Sequence, residues 1–328
     1  MNLNLKFSFS KPFIVYRTES ENSIIQARNI SKYILSKFPI ETIYIEKPSE
    51  VNSDLVFDTE DEKTLREKHK NVFQSFSPET EKSDLCIIIG GDGTCLWANY
   101  CYRKNPNPPP IITFHLGYLG YLAIYDINKY KEVFDDLSEG NLNFEKRNLI
   151  SSEIRTIEND NNENKKSKEK FTSLNELLIQ RGSSSKMVAL NLYIDDEPFT
   201  EVFCDGLIFS SPTGTTAYNL SAGGPLLHYE VEGLTVSSIC PFSLSFRAIV
   251  IPKGVKLSVR VGVKFNNNPV IVNDGKIIGY LNKENIIDIQ LSEEKLNFIV
   301  LNKFVPNRNV LWKDKIVQSL GWNSAFKH

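Results

Sequence analysis

Apolar residues in the first half of the chain fall in short runs separated by stripes at helical spacing. Phe13 to Tyr16 is a β-prone run, and Ala27, Ile30, Ile34 and Phe38 then line one helical face that Pro39 stops. Thr42 to Ile45 reads as a second strand. Leu85 to Ile89 is almost continuous in apolar residues, as a central parallel strand covered on both faces requires. Beyond the proline-rich loop Pro106 to Pro110, Ile111 to Phe114 gives a fourth strand, and Ile127 to Leu137 a helix capped by Asp126. Strands alternating with helices predict a doubly wound α/β sheet.

The second half changes period. Val188, Leu190, Leu192 and Ile194 alternate with other residues, as do Leu257, Val259 and Val261, and again Ile287, Ile289 and Leu291. A period of two marks half-buried antiparallel strands, and the Gly, Asn and Asp turns between them predict a β-rich, sandwich-like domain. The change falls near Gly140 to Leu149. The expected organisation is an α/β nucleotide-binding domain over 1–145, a β-rich domain over 146–303, and a helical tail over 304–328 that packs back on the first domain. Glu158 to Lys170 is polar and of low complexity, and reads as a mobile loop between strands. Val310 to Trp322 reads as the tail helix.

Composition narrows the function classes. The chain has 328 residues and a formal net charge of −2, so no basic surface recommends nucleic acid or membrane as partner. A phosphate-bearing substrate would need a local pocket rich in amides. Cys86, Cys95, Cys101, Cys204 and Cys240 form no CxxC pair, which predicts buried free thiols in a reducing compartment. The N-terminal residues carry neither a long apolar core nor an Arg-rich amphipathic pattern, and no apolar run approaches a membrane span. The expected location is the cytoplasm.

Candidate chemistry sits in three places. Gly90-Gly91-Asp92-Gly93-Thr94 follows the strand Leu85 to Ile89 and precedes a helix expected over Cys95 to Cys101. Glycines let backbone amides approach an anion at a helix start, and Asp92 adds a carboxylate able to take a hydroxyl proton or help hold a metal. A tight turn with an Asp cap would look the same in isolation. Placement at the carboxyl end of a central strand favours the ligand reading. The second place is Ser211 to Tyr218 with Ser221 to Pro225, dense in hydroxyls and glycines after a strand expected over Val202 to Phe209; Thr215 to Leu220 could start a helix. The third is Asn175-Glu176, within the strand-like stretch Thr172 to Gln180. His115 and His228 each stand alone.

Taken in order, these segments resemble the NAD kinase family. The motifs are Gly90 to Gly93, Leu116 to Leu122 (LGYLGYL), Leu174-Asn175-Glu176, Asp205-Gly206, Thr213 to Pro225, Ile239 to Arg247 and Asp274-Gly275. The resemblance spans Phe13 to Leu301. It implies an α/β domain and a sandwich-like domain with the site between them, with ATP, NAD and a divalent metal such as Mg²⁺ held mainly by ATP phosphates. Asp92 would be the base acting on the 2′-hydroxyl of the adenosine ribose, and Gly90, Gly91, Gly93 and Thr94 would bind ATP phosphates. Asn175 and Glu176 would hold ribose hydroxyls. Gly93, Tyr121, Asp205, Thr213, Thr216, Ala217, Tyr218, Ser221 and Asp274 would complete the dinucleotide site, in a homodimer or homotetramer. The chain departs from the family at Phe242, where His is usual, and at Tyr121, where Phe or a similar ring is usual.

Two other readings compete. Lipid and sugar-phosphate kinases share the Gly-Asp loop, but the former continue into a Pro-Leu-Gly-Thr-Gly-Asn-Asp segment absent here, and phosphofructokinases lack the Thr213 to Pro225 pattern. A silent NAD(P) sensor would not need Asp92, Asn175 and Glu176 together. The motifs leave ATP against polyphosphate, and NAD against NADH, open.

Overall fold

The computed structural model of the chain describes residues 7–59, 62–77, 83–105, 107–117, 120–140, 142–156, 167–183, 185–262, 268–323. It divides into two compact units: Met1–Cys101, Asn107–Glu145 and Leu296–His328 form the first, and Tyr102–Pro106 with Lys146–Lys295 the second. The second expected segment ran to 303, whereas Leu296 onward groups with the first unit.

The first unit contains β1 (Pro12–Tyr16), α1 (Glu21–Lys37), β2 (Ile43–Ile45), α2 (Ser53–Val56), α3 (Lys63–Lys68), β3 (Phe73–Ser75), β4 (Leu85–Ile89), α4 (Asp92–Tyr102), β5 (Ile111–His115), β6 (Tyr125–Asp126) and α5 (Tyr130–Glu139). The main strands pair in parallel in the order β3-β2-β1-β4-β5. The order reverses between β1 and β4, and open sheets of this kind bind ligands at the carboxyl ends of the strands there. Tyr16, the last residue of β1, is in register with Ile89, the last of β4. Gly90 therefore begins at the reversal.

Local rules explain the helices. Ser20 caps α1 by accepting from the Ser23 N–H, with Glu21 in the first turn and Lys37 in the last. Phe38 is extended (φ −120°, ψ 153°), as the residue before Pro39 must be. Ala27, Ile30 and Ile34 are buried in a core shared with Ile87, Ile89, Phe114 and Phe134. The helix expected over Ile127 to Leu137 is a 3₁₀ turn, Ile127–Lys129, capped by Asp126, leading into α5, which ends on left-handed Gly140.

The second unit contains β7 (Leu142–Thr156), which starts in the first, then β8 (Ser167–Ser173), β9 (Glu176–Gln180), β10 (Val188–Ile194), β11 (Glu197–Cys204), β12 (Gly206–Ser210), α6 (Tyr218–Ser221), β13 (Gly233–Ile239), β14 (Ile249–Pro252), β15 (Leu257–Val261), β16 (Val270–Asn273) and β17 (Lys276–Tyr280). The last strand, β18 (Asn285–Leu301), begins here and ends in the first unit, before helix α7 (Arg308–Leu320). One antiparallel sheet runs β14-β13-β12-β9-β16-β17. Facing it are β11-β10-β15 and the start of β18. Leu177, Leu207, Phe209 and Ile271 from the first sheet share one buried cluster with Leu190, Val259, Ile287 and Ile289 from the second. This is the sandwich arrangement.

Three expectations need correction. The strand read over Val202 to Phe209 is two strands, β11 and β12, broken at Asp205, where the chain passes from one sheet of the sandwich to the other. The polar stretch Glu158 to Lys170 is not loop throughout: Ser167–Lys170 belong to β8, and 158–166 lie outside the described residues. None of the five cysteines is in a disulfide, but Cys240 is exposed and Cys101 only half-buried. Among the described residues no helix is long and apolar enough to cross a membrane.

Candidate active site

In the first unit, α4 begins at Asp92 itself, three residues earlier than the sequence pattern suggested. The first-turn amides of a helix have no acceptor within it; here the Gly90 N–H donates to the Phe114 carbonyl (2.9 Å) and the Thr94 N–H to the Gly91 carbonyl (3.0 Å), so of the four residues expected to bind phosphate it is Gly91 and Gly93 whose N–H groups the turn can offer to an anion. The glycines are not equivalent. A Cβ on Gly90 would stand 2.9 Å from the Thr94 Cβ, so the turn itself excludes a side chain there. At Gly91 and Gly93 a Cβ would meet nothing within 4 Å. The protein does not need glycine at those two positions; close approach by a ligand would.

The Asp92 carboxylate is fixed by the loop that follows β5. Its Oδ2 accepts from the Tyr121 N–H (2.9 Å), and its Oδ1 from the N–H groups of Leu122 (2.8 Å) and Ala123 (3.4 Å). A side chain on Gly120 would collide with the carboxylate, so glycine there lets the loop close over Asp92. The Tyr121 hydroxyl is committed to the backbone of α7, donating to the Lys315 carbonyl. His115 ends β5, buried, with no partner for its Nδ1 among the described residues.

In the second unit, the strand-like stretch through Asn175 is broken, and Asp274 breaks it. Asp274 and Gly275 both have positive φ (45° and 80°), joining β16 to β17 in a two-residue turn of type I′. From that turn the Asp274 carboxylate accepts the N–H groups of Leu174 (2.8 Å), Asn175 (2.7 Å) and Glu176 (3.2 Å). The three amides that a continuous strand would have paired sideways are drawn onto one carboxylate. The Ser211 hydroxyl donates to the Leu174 carbonyl at 2.5 Å.

The result is a buried acid. Burial first, and the Asp274 charge second, push the Glu176 carboxyl from its ordinary 4.5 up to about 8. It is protonated at neutral pH, and its Oε2 has no partner among the described residues. The neighbouring Thr213 Oγ1 is likewise buried without a partner.

The 3₁₀ turn Thr213–Thr216 is seated on this segment. A Cβ on Gly214 would lie 2.7 Å from Asn175 Cα and closer still to its carbonyl. Gly214→Ala should therefore cost about 3 kcal/mol by overpacking against backbone. Urea denaturation checks this, and an unchanged midpoint would mean that the turn is not seated on Asn175. Thr216 is half-buried and donates to the Thr213 carbonyl; Ala217 is half-buried, while Tyr218 and Ser221 are exposed. Asn219, which the sequence reading passed over, clips the segment together. Its Oδ1 accepts from Thr235 (3.0 Å) and Ser237 (2.7 Å), and its Nδ2 donates to the Pro225 carbonyl (3.0 Å).

The structure thus brings Asn175, Glu176, Thr213 and Asp274 together. It does not bring Asp205 to them. Asp205 pairs with Arg181 at 3.1 Å, and β9 and β12 are antiparallel, with Gly206 opposite Gln180 and Ser210 opposite Glu176. Asp205 is therefore beyond the far end of the strand pair, roughly 17 Å along the strands from Glu176 at the usual rise per residue. Phe242 is exposed.

Comparison with known proteins follows the same two halves. The ATP-NAD kinase N-terminal domain matches residues 13–142, and the ATP-NAD kinase C-terminal domain matches residues 174–301. A mitochondrial NADH kinase of Schizosaccharomyces pombe is 31% identical over 275 residues, covering 83% of this chain and 68% of that protein. An NAD kinase of Clostridium botulinum is 32% identical over 226 residues, covering 68% of this chain and 76% of that protein. The crystal structure of yeast NADH kinase complexed with NADH has the same fold, with a TM-score of 0.84 at 22% identity over 98% of this chain and 89% of that one. With both domain patterns matched in order and relatives of this similarity, the chain belongs to the NAD kinase family.

Proposed function

We propose that the protein transfers the γ-phosphoryl group of ATP to the 2′-hydroxyl of the adenosine ribose of NAD, forming NADP and ADP. The observation that carries this reading is the Asp92 carboxylate, held by three amides at the reversal point of the parallel sheet, beside two glycines that only a ligand would require. The amides of Gly91 and Gly93 take the phosphate oxygens of ATP, while Gly90 and Thr94, whose N–H groups donate to the Phe114 and Gly91 carbonyls, shape the turn that presents them. As the ribose oxygen bonds to the γ-phosphorus and the bond to the bridging oxygen breaks, Asp92 takes the hydroxyl proton. Orientation of the reacting groups is the larger contribution expected of such a site.

Asn175 and protonated Glu176 hold ribose hydroxyls: the amide and the neutral acid each offer a donor and an acceptor, matching a diol. Thr213, Thr216, Ala217, Tyr218 and Ser221 line the dinucleotide. Asp274 acts behind Asn175 and Glu176 rather than on the substrate. Mg²⁺ would be carried mainly on the triphosphate. When bound, the ion would neutralise charge on the phosphate oxygens. The same reading includes a cytoplasmic homodimer or homotetramer.

The test is direct. Purified protein is incubated with ATP, Mg²⁺ and NAD, and NADP is followed with a dehydrogenase strictly dependent on it; parallel reactions use NADH and polyphosphate. NADP formation supports the reading. Tight NADP binding without transfer from either donor would make the protein a sensor instead.

A further inference from the structure

The loop that grips Asp92 is itself gripped by a part of the chain beyond both matched domains. Helix α7 is capped by Asn307, whose side chain accepts from the Asn309 and Val310 N–H groups, and it ends on left-handed Gly321. Leu311 packs against the core of the first unit, and Ile316 is buried. Between them stands Lys315, only 2% exposed. Its ammonium donates to the Tyr121 carbonyl at 2.6 Å, while the Tyr121 hydroxyl donates to the Lys315 carbonyl at 3.2 Å. The two residues are 194 positions apart and bind each other twice. Tyr121 is also the residue whose N–H reaches Asp92.

We propose that α7 is a latch for the catalytic loop: Lys315 and Tyr121 act as positioning residues that hold the amides of Tyr121, Leu122 and Ala123 on the Asp92 carboxylate. Burying an ammonium is costly unless its donors are satisfied, so the Lys315–Tyr121 carbonyl bond is strongly favoured in the closed arrangement. The Tyr121 hydroxyl is raised to about 12 by burial and by the Asp92 charge, and so remains a donor throughout the physiological range. The Tyr121 hydroxyl closes the second half of the latch. Displacing a reacting group by about 1 Å can cost about a hundredfold in rate, and the latch keeps Asp92 from such displacement.

This inference rests on the proposed phosphoryl transfer for its kinetic readout, and a second readout is independent of it. The full chain is compared with its Lys315→Met and Tyr121→Phe variants for NADP formation and for hydrogen exchange in the peptide 116–125. The expected result is a kcat lowered about 10- to 100-fold with KM for NAD and ATP within about twofold. Exchange of the Tyr121 to Ala123 amides should quicken while β4 stays protected. Unchanged exchange and unchanged kcat would overturn the latch, as would a raised kcat, which would make α7 a restraint on Asp92. Should Lys315→Met loosen the whole first unit, Tyr121→Phe, which deletes one oxygen, decides the matter. An inactive wild-type protein would remove the proposed function, while the exchange measurement would still judge the latch.

Discussion

Asp92→Asn lowers turnover about a hundred- to ten-thousandfold, measured as NADP formation at saturating ATP and NAD. The substitution removes the proton acceptor and leaves the volume unchanged. It is not silent for the fold. Both carboxylate oxygens accept amide protons, Oδ2 from Tyr121 and Oδ1 from Leu122 and Ala123. An Asn side chain has one acceptor oxygen, so its NH₂ group must face a backbone N–H. That conflict costs about 1–3 kcal/mol, and the melting temperature should fall with the rate. Wild-type turnover in a folded Asp92→Asn protein would remove Asp92 from the chemistry.

The second large effect is on stability against pH. Glu176 binds its proton more tightly in the folded chain, with a pKa of about 8 against the ordinary 4.5. The folded state therefore holds more protons than the unfolded state between these values, and stability must fall as pH rises through them. The contribution is complete below pH 4.5, declines up to about pH 8, and is flat above it. Its full size is about 5 kcal/mol. Glu176→Gln imitates the protonated acid and cannot titrate. Chemical denaturation should find the two proteins alike near pH 4.5 and the Gln variant more stable by several kcal/mol above pH 8. A difference independent of pH would show that Glu176 is ionised in the folded state.

The regular elements were legible where the pattern was locally complete. β1, β4 and β5 are continuous apolar runs, and Pro39 stops α1 by a rule that involves only its neighbour. β3 was missed because Phe73–Ser75 is short and mostly exposed, leaving no run to read. The breaks at Asn175 and Asp205 were missed for a different reason. Flanking residues favour a strand at both, and what interrupts the first is a carboxylate about a hundred positions away. The Gly90–Thr94 turn was visible as a motif, yet the bonds that orient Asp92 come from Tyr121 to Ala123, and those that steady Tyr121 from Lys315. Burial of Glu176, which decides its charge, is likewise a property of the folded sandwich.

Asp274 has a consequence for how this sequence can vary. One carboxylate gathers three backbone amides and at the same time adds to the burial that keeps its neighbour Glu176 from ionising. The two duties cannot be altered separately. Neutralising Asp274 would loosen the Asn175 backbone and also remove the second of the two causes that hold Glu176 protonated, so a second change at Glu176 would be felt differently before and after the first. Substitutions at these positions should be non-additive and accepted as pairs, although the two residues are 98 positions apart in the chain. The Asp274-Gly275 turn narrows the options further, because both of its residues need a left-handed backbone that few side chains tolerate. Natural drift through this corner of the fold should be slow and stepwise, while the exposed strand β17 beside it is free to change.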